Sequence, residues 1–149
     1  MDEILTGGGM QCRRERLGMS REVFAAQMSG TEAAWRARGT ATPVSTDMIR
    51  QCERSRDTIP VWMGAALAWL EAEQVRAVDE LAGMLAQMAR PAVAMHHSDE
   101  QMRHERLSPG DIPSAQWWRV VALAAAERVP GTVLGRPGDL TRLGFDSWV

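Results

Sequence analysis

The stretch that decides the fold is Val44-Ser-Thr-Asp-Met-Ile-Arg-Gln-Cys-Glu-Arg-Ser-Arg-Asp-Thr-Ile-Pro60. Ser45 is a residue type that caps helix N-termini, and the pattern that follows it predicts a helix from Thr46 to Glu53. Ile49 and Cys52 lie on one side of that helix and are its apolar, inward residues. The opposite, polar side carries Thr46, Asp47, Arg50, Gln51 and Arg54. The segment therefore predicts a short amphipathic helix with a polar outer side.

Two more short helices are predicted before this one. Met10 and Leu17 lie on one side of a helix that ends at Gly18, a residue that favours helix C-termini. Ser20 is then the N-cap of a helix from Arg21 to Met28. The inward residues of this second helix are Phe24, Ala25 and Met28. Three short helices with apolar sides predict a small bundle.

Two blocks of this region resemble the lambda-repressor/Cro-type (XRE-like) helix-turn-helix transcriptional regulators. Residues 10–25 are similar to that family's first helix and the start of its second. Residues 44–60 are similar to its recognition helix and end in the family's Ile-Pro pair. The rest resembles, more weakly, the helical extension of small autoregulating repressors, including those encoded beside anti-CRISPR genes. In that subgroup the long helix and the C-terminal part form the dimer.

The resemblance implies double-stranded DNA as the partner and assigns its contacts residue by residue. Thr46, Asp47 and Arg50 would face base edges, since Arg can take guanine O6 and N7 and Asp can accept from cytosine N4. The expected phosphate contacts are Ser20, Arg21, Gln51, Arg54 and Arg56. One such module makes too few contacts for tight binding, so a homodimer reading a palindromic operator is expected.

The chain departs from the family between its second and third helices. The family joins them through a short glycine turn, whereas residues 29–43 intervene here. Thr31 can cap a short helical segment within this insertion. Arg36 and Arg38 on that segment are candidates for further DNA contacts. Position 52 is also Cys where the family usually has an aromatic residue.

A long helical stretch follows Pro60, a residue that favours the first turn of a helix, and reaches Arg90. At roughly 1.5 Å per residue, such a helix projects beyond a small core unless something packs along it. Its apolar stripe recurs at three- and four-residue spacing, at Val75, Val78, Leu81, Ala82, Leu85 and Met88. The dimer interface is therefore predicted at Trp69, Val78, Leu81, Leu85 and Met88.

Weaker patterns organise the C-terminal part. Residues 92–96 fit a short strand, and Ser98 with Gln101 is a capping-box pair that begins a helix through Leu107. Residues 108–111 form a turn. Ser114 caps a helix from Ala115 to Arg128, for which the predicted buried residues are Trp117, Val120, Val121 and Leu123. The tail is rich in turns, and Leu143, Phe145 and Trp148 are predicted to pack against the rest.

The expected fold is mostly α, in two parts. A lambda-repressor-like helix-turn-helix domain covers residues 1–60, with an insertion at about 29–43. A long helix and a small helical dimerisation domain, with at most one short strand, cover residues 61–149. Among the 149 residues, 45% are hydrophobic and the net charge is −2, which excludes a disordered chain and a globally basic nucleic-acid coat.

No cofactor, metal or small-molecule ligand is expected. His96, His97 and His104 stand near Glu100 and Glu105, but zinc sites need three or four convergent ligands and no Cys pair joins them. The two cysteines, at no metal-like spacing, indicate reduced thiols. With no signal peptide and no apolar stretch long enough to cross a bilayer, the expected location is cytoplasmic.

Two classes of function stay open, and neither is an enzyme. The first is a sequence-specific DNA-binding regulator, a dimeric repressor of its own or a neighbouring promoter. The alternative is a protein-interaction module, such as an antitoxin or a phage adaptor, in which the helix-turn-helix is vestigial. The insertion and the acidic C-terminal part favour the alternative, and the pattern from Ser45 to Pro60 favours the regulator.

Overall fold

The computed structural model describes residues 4–39, 43–105, 112 and 114–149. Within them the chain forms eight helices and one parallel two-stranded sheet, which confirms the mostly-α prediction. None of these helices is both long and apolar enough to cross a membrane. The elements are α1 (Gly7–Arg16), α2 (Arg21–Ser29), α3 (Glu32–Arg38), α4 (Thr46–Arg54), α5 (Val61–Ala86), β1 (Ala92–Ala94), α6 (Asp99–Glu105), α7 (Ala115–Arg128), β2 (Val133–Gly135) and α8 (Pro137–Arg142).

Contacts divide the chain into two compact units, Met1–Glu73 and Gln74–Val149. In the first unit, each of the first four helices begins at a hydroxyl that accepts a backbone N–H of the first turn. The cap is Thr6 for α1, Ser20 for α2, Thr31 for α3 and Ser45 for α4. These bonds satisfy N–H groups that a helix start otherwise leaves without a partner. The three caps predicted from the sequence are confirmed.

The core of the first unit lies where α4 packs against α1 and α2. The predicted inward residues of α2 are buried, and Ile49 of α4 has no exposed surface. Each fully buried side chain of this size contributes about 1.5–3 kcal/mol relative to exposure. Cys52 is only partly buried, with its Sγ 3.8 Å from the Met63 Sδ. Burial, and then the neighbouring Glu53 charge, raise the pKa of the Cys52 thiol above its usual 9.0.

The boundary between the units falls inside α5, not at residue 60 as the sequence pattern suggested. Met63, Leu67 and Leu70, on the first turns of α5, are buried in the first unit. A helix start marked by proline therefore does not mark the end of a domain here.

Glu71 further ties α5 to α1, accepting from the Arg13 Nε at 3.1 Å and the Arg16 Nη2 at 2.9 Å. Partial burial acts to raise the Glu71 pKa. The hydrogen bonds and charges of Arg13 and Arg16 outweigh burial and hold that pKa below its usual 4.5.

The rest of α5 belongs to the second unit, and the helix ends at Ala86, before the predicted Arg90. Val78, Leu81 and Leu85 are buried within this same chain. The prediction that these three residues form a dimer interface is therefore wrong. The sequence pattern could not tell a stripe covered by the chain's own second unit from one covered by a second copy. An ion pair between Asp79 and Arg128 joins this part of α5 to α7.

The second unit contains the sheet, in which β1 and β2 run parallel with Ala92 opposite Val133. The predicted strand is confirmed but is shorter than residues 92–96. Parallel strands require a crossover connection, and the intervening chain includes α6 and α7. Helix α6 begins after the predicted Ser98 cap, whose Oγ accepts from the Gln101 N–H. The prediction for Leu107 and for the turn at 108–111 lies outside the described residues.

Helix α7 has the predicted bounds, but its buried side differs in part. Val121 and Ala125 are buried, whereas Leu123 is 52% exposed because it lies on the opposite side of the helix. The tail forms β2 and α8, which were not predicted. Phe145 and Trp148 pack on the cluster around β1, as expected. Leu143 is exposed, so its predicted packing is wrong.

The close approach of α1 to α4 predicts opposite effects for two adjacent glycines. A Cβ on Gly7 would lie 2.7 Å from the Glu53 carbonyl oxygen, whereas one on Gly8 would meet open space. We expect Gly7→Ala to lower the free energy of unfolding by about 1–3 kcal/mol through overpacking. Gly8→Ala should raise it by up to about 1 kcal/mol through helix propensity. Urea unfolding midpoints measure both, and equal midpoints would contradict this packing.

Candidate nucleic-acid interface

The polar outer side of α4 lies at the surface of the first unit. Asp47 and Arg50 have 76% and 42% of their side chains exposed, and Gln51 and Arg54 are exposed as well. These residues are three and four positions apart and therefore share one side of the helix. Thr46 is partly buried at the first turn. The described residues of the insertion thus leave this side of α4 open to a partner.

Arg50 and Asp47 form an ion pair on this surface, with 2.6 Å between Nη1 and Oδ1. An exposed pair of this kind is worth at most about 1 kcal/mol, so a ligand can displace it at low cost. Arg50 keeps its other guanidinium donors for a further acceptor. The carboxylate of Asp47, which a phosphate would repel, is suited to an amino donor on a base edge.

The residues predicted to contact phosphate do not all lie together. Ser20, Gln51, Arg54 and Arg56 are exposed, and Ser20 stands at the N-terminus of α2. Arg21 is partly buried, and its Nε donates to the Glu53 Oε2 at 3.3 Å. Its side chain is thus partly committed to the interior, and only its remaining guanidinium donors can face a phosphate.

The residue that fixes α4 from within is Glu53, which the sequence-based assignment of roles missed. Its side chain is 1% exposed and accepts from the Arg14 Nε at 2.8 Å. The Arg14 Nη1 donates to the Met19 carbonyl oxygen at 2.8 Å. With Arg21, this network links α1, the start of α2 and the C-terminal turn of α4. A signal was present, because Glu53 follows the buried Ile49 by four residues and therefore shares its side of the helix.

The inserted helix α3 is joined to α4 and α5 through Arg38, and the segment that follows it is bonded to α2. The Val44 N–H donates to the Ser29 Oγ at 2.8 Å, so the segment before α4 is bonded to the end of α2. The Arg38 Nη1 donates to the Met48 Sδ at 3.3 Å, and its guanidinium lies 5.8 Å from the centre of the Trp62 ring. Arg38 thus joins α3 to α4 and α5, and its use as a DNA contact stays a prediction.

Arg36 is exposed, but it faces a different part of the surface. It pairs with Glu32 at 2.6 Å on α3. Both residues border an open groove with Val61 and Trp62 at the start of α5. Arg36 therefore lies on the α5 side of the inserted helix, apart from the outer residues of α4.

An apolar strip on α5 is exposed in the first unit. Val61, Ala65, Ala68 and Ala72 recur at four-, three- and four-residue spacing, and all are exposed. Trp69 beside them, a predicted interface residue, is also about half exposed. Met88, the remaining predicted interface residue, is partly buried in the second unit. In the first unit, the first turns of α5 therefore offer an exposed apolar surface to a partner.

The described residues hold no group of three His, Cys, Asp or Glu side chains placed to bind a metal ion. The side chains of His104 and Glu105 lie outside the described part. Cys12 and Cys52 are free thiols.

Comparison with protein-family models, with curated proteins and with solved structures finds no match for this chain. The function is therefore inferred from the side chains alone.

The buried network predicts a large effect of a small change at Glu53. Glu53→Gln removes the charge that balances Arg14 and Arg21, and breaking a buried pair in this way costs about 3–5 kcal/mol. The matched control is Glu22→Gln, an exposed residue in the first turn of α2, which should cost about 1 kcal/mol or less. Chemical unfolding of both variants measures the difference. Similar stabilities would show that the pair does not hold α4 in place.

Proposed function

We propose that this protein is a sequence-specific DNA-binding transcriptional regulator that inserts α4 into the major groove. The observation that carries the proposal is the division of α4 into two sides. Ile49 and Glu53 anchor its inner side, while Asp47, Arg50 and Arg54 stand on an exposed outer side. A short helix presented in this way can place side chains on base edges while its neighbours bind the backbone.

The arrangement of the first unit supports a helix-turn-helix reading. Helix α4 contacts both α1 and α2, as a recognition helix does in a lambda-repressor-type bundle. In this proposal α2 and α4 are the paired helices, and α3 is an addition between them. The exposed Ser20 hydroxyl and the N-terminus of α2 would bind a phosphate, because free N–H groups and the helix dipole favour an anion there.

The charges on the outer side of α4 suit separate contacts with base edges and with phosphates. Arg54 and Arg56 are exposed cations that would bind phosphates and fix the position of the protein on the duplex. Arg50 and Asp47 would separate on binding and contact guanine and cytosine edges. Occupation of an operator would by itself block transcription of its own or a neighbouring promoter. The proposal places the protein in the cytoplasm, with the DNA it binds.

We further propose that the regulator binds as a homodimer, because one α4 offers few base contacts. The apolar strip of α5, at Val61, Ala65, Ala68 and Ala72, is the proposed contact between copies. Its small side chains allow two helices to approach closely, and its spacing is that of a helix-packing seam. Trp69 at its side would be covered in the same interface.

The exposed strip also favours a second candidate function. Ile4 and Val61 are among the most exposed apolar residues described, at 75% and 81%. A surface of this kind suits a different protein as well as a second copy. In that case the chain would be a protein-interaction module, and binding of DNA would be weak and indifferent to sequence.

Selection of bound duplexes from a random pool, followed by gel-shift titration, tests the DNA proposal. Arg50→Ala should relax base preference by about 1–3 kcal/mol at one position of each half-site. Arg54→Ala, the matched control on the same side of α4, should weaken binding to all sequences equally and reduce the salt dependence. Recovery of no sequence preference would favour the protein-interaction module. A uniform loss for Arg50→Ala would show that the register of α4 on DNA is wrong.

Light scattering tests the dimer. The wild type should have about twice the 16.5 kDa mass of the chain, and Ala68→Glu should reduce it to that of a monomer. Ala68 is exposed in the single chain, so the substitution leaves the fold intact while placing a charge in the proposed interface. Leu123→Glu, on an exposed position of α7, is the control and should remain dimeric. A dimer unchanged by Ala68→Glu would place the interface elsewhere.

A further inference from the structure

One large aromatic residue of the inserted helix lies at the surface near the start of α4. The Trp35 side chain is on α3, and the residue is 56% exposed. It borders a small cleft with Ser29, Pro43 and Val44. Val44 directly precedes Ser45, the N-cap of α4. The indole therefore stands next to the backbone that leads into the helix proposed to enter the groove.

The position of Trp35 relative to α4 is fixed by contacts on both sides of it. The Thr31 Oγ1 accepts from the Ala34 N–H to cap α3, and it donates to the Met28 carbonyl oxygen at 2.7 Å. At the other end of α3, Arg38 contacts both Met48 of α4 and the Trp62 ring. Helix α3 is thus attached to α2, α4 and α5, so the indole is presented from a defined place.

The two arginines of α3 make contacts of their own. Arg36 faces the groove toward α5, and the Arg38 guanidinium is held between Met48 and Trp62. Trp35 lines the cleft before α4 together with Ala34 and Arg38, and it is the exposed aromatic residue among them. It carries no charge, so it cannot attract a phosphate at a distance. It offers a flat apolar surface and one N–H donor.

We propose that Trp35 packs against the sugar–phosphate backbone of the bound duplex, beside the N-terminus of α4. The inference rests on the proposed function, because it requires α4 to lie in the major groove. The indole lies on α3, outside the helix that enters the groove. It stands beside the N-terminus of α4, where the DNA backbone passes a recognition helix. It therefore contacts deoxyribose rings rather than base edges. The contact strengthens binding to every DNA sequence and does not discriminate between them. In this reading the insertion adds affinity without altering specificity.

Three measurements on the full chain test this contact: affinity for the selected duplex, affinity for duplexes with single base changes, and the slope of affinity against salt. Trp35→Ala should bind all of these duplexes about tenfold more weakly, because the apolar contact is lost. Its salt slope should equal that of the wild type, since no counterion release is removed. Arg54→Ala should instead reduce the slope by about one. Leu123→Ala, an exposed apolar residue of the second unit, is the control and should bind like the wild type.

Fluorescence gives a second readout that does not depend on the stability of the alanine variant. DNA should protect part of the wild-type tryptophan emission from quenching by acrylamide, and Trp35→Phe should lose that protection while keeping most of the affinity. Wild-type affinity in Trp35→Ala would overturn the inference, as would a loss confined to one base position or a reduced salt slope. A wild type that binds no duplex would overturn the proposed function itself, whereas normal wild-type binding with an inert Trp35 would overturn only this inference.

Discussion

The first unit depends on one buried ion pair. Glu53 and Arg14 are charged groups with almost no exposure, and each would be costly to bury alone. Together they satisfy one another, and Arg14 also uses a backbone carbonyl of Met19. The geometry that satisfies both charges is narrow, so it fixes where the C-terminal turn of α4 lies against α1. The exposed side of α4 is thereby directed outward.

The insertion adds helix α3 without covering the outer side of α4. Helix α3 occupies the connection between α2 and α4, yet Asp47 and Arg54 remain exposed and the Arg50 side chain is 42% exposed. The reason lies in its attachments, since Arg38 fastens α3 at Met48 and Trp62, beside α4 rather than across its outer side. In the proposed function the same attachments turn the insertion into part of the DNA-binding surface through Trp35.

The long helix has two parts with different surroundings. Up to Glu73 it completes the core of the first unit, and its small residues leave an open apolar strip. Beyond Gln74 the larger residues Val78, Leu81 and Leu85 belong to the second unit and are buried. The centre of the predicted stripe is thus internal, whereas the strip of alanines is exposed. Hydrophobic spacing indicates which side of a helix is covered but carries no information about what covers it.

The sequence by itself determined the local structure. Ser20, Thr31, Ser45 and Ser114 set the starts of their helices because a hydroxyl bonds the first turn of its own helix. The bounds of α2, α4 and α7 followed from the sequence to within one residue, and so did the outward positions of Asp47, Gln51 and Arg54 on α4. All of these depend on neighbours along the chain.

Only the tertiary structure decided which residues each helix surface contacts. The pairing of Glu53 with Arg14 and the contact of Arg38 with the Trp62 ring join residues far apart in sequence. No pattern along the chain encodes such a contact, because the free energy of burying a group depends on the partner that arrives from elsewhere in the fold.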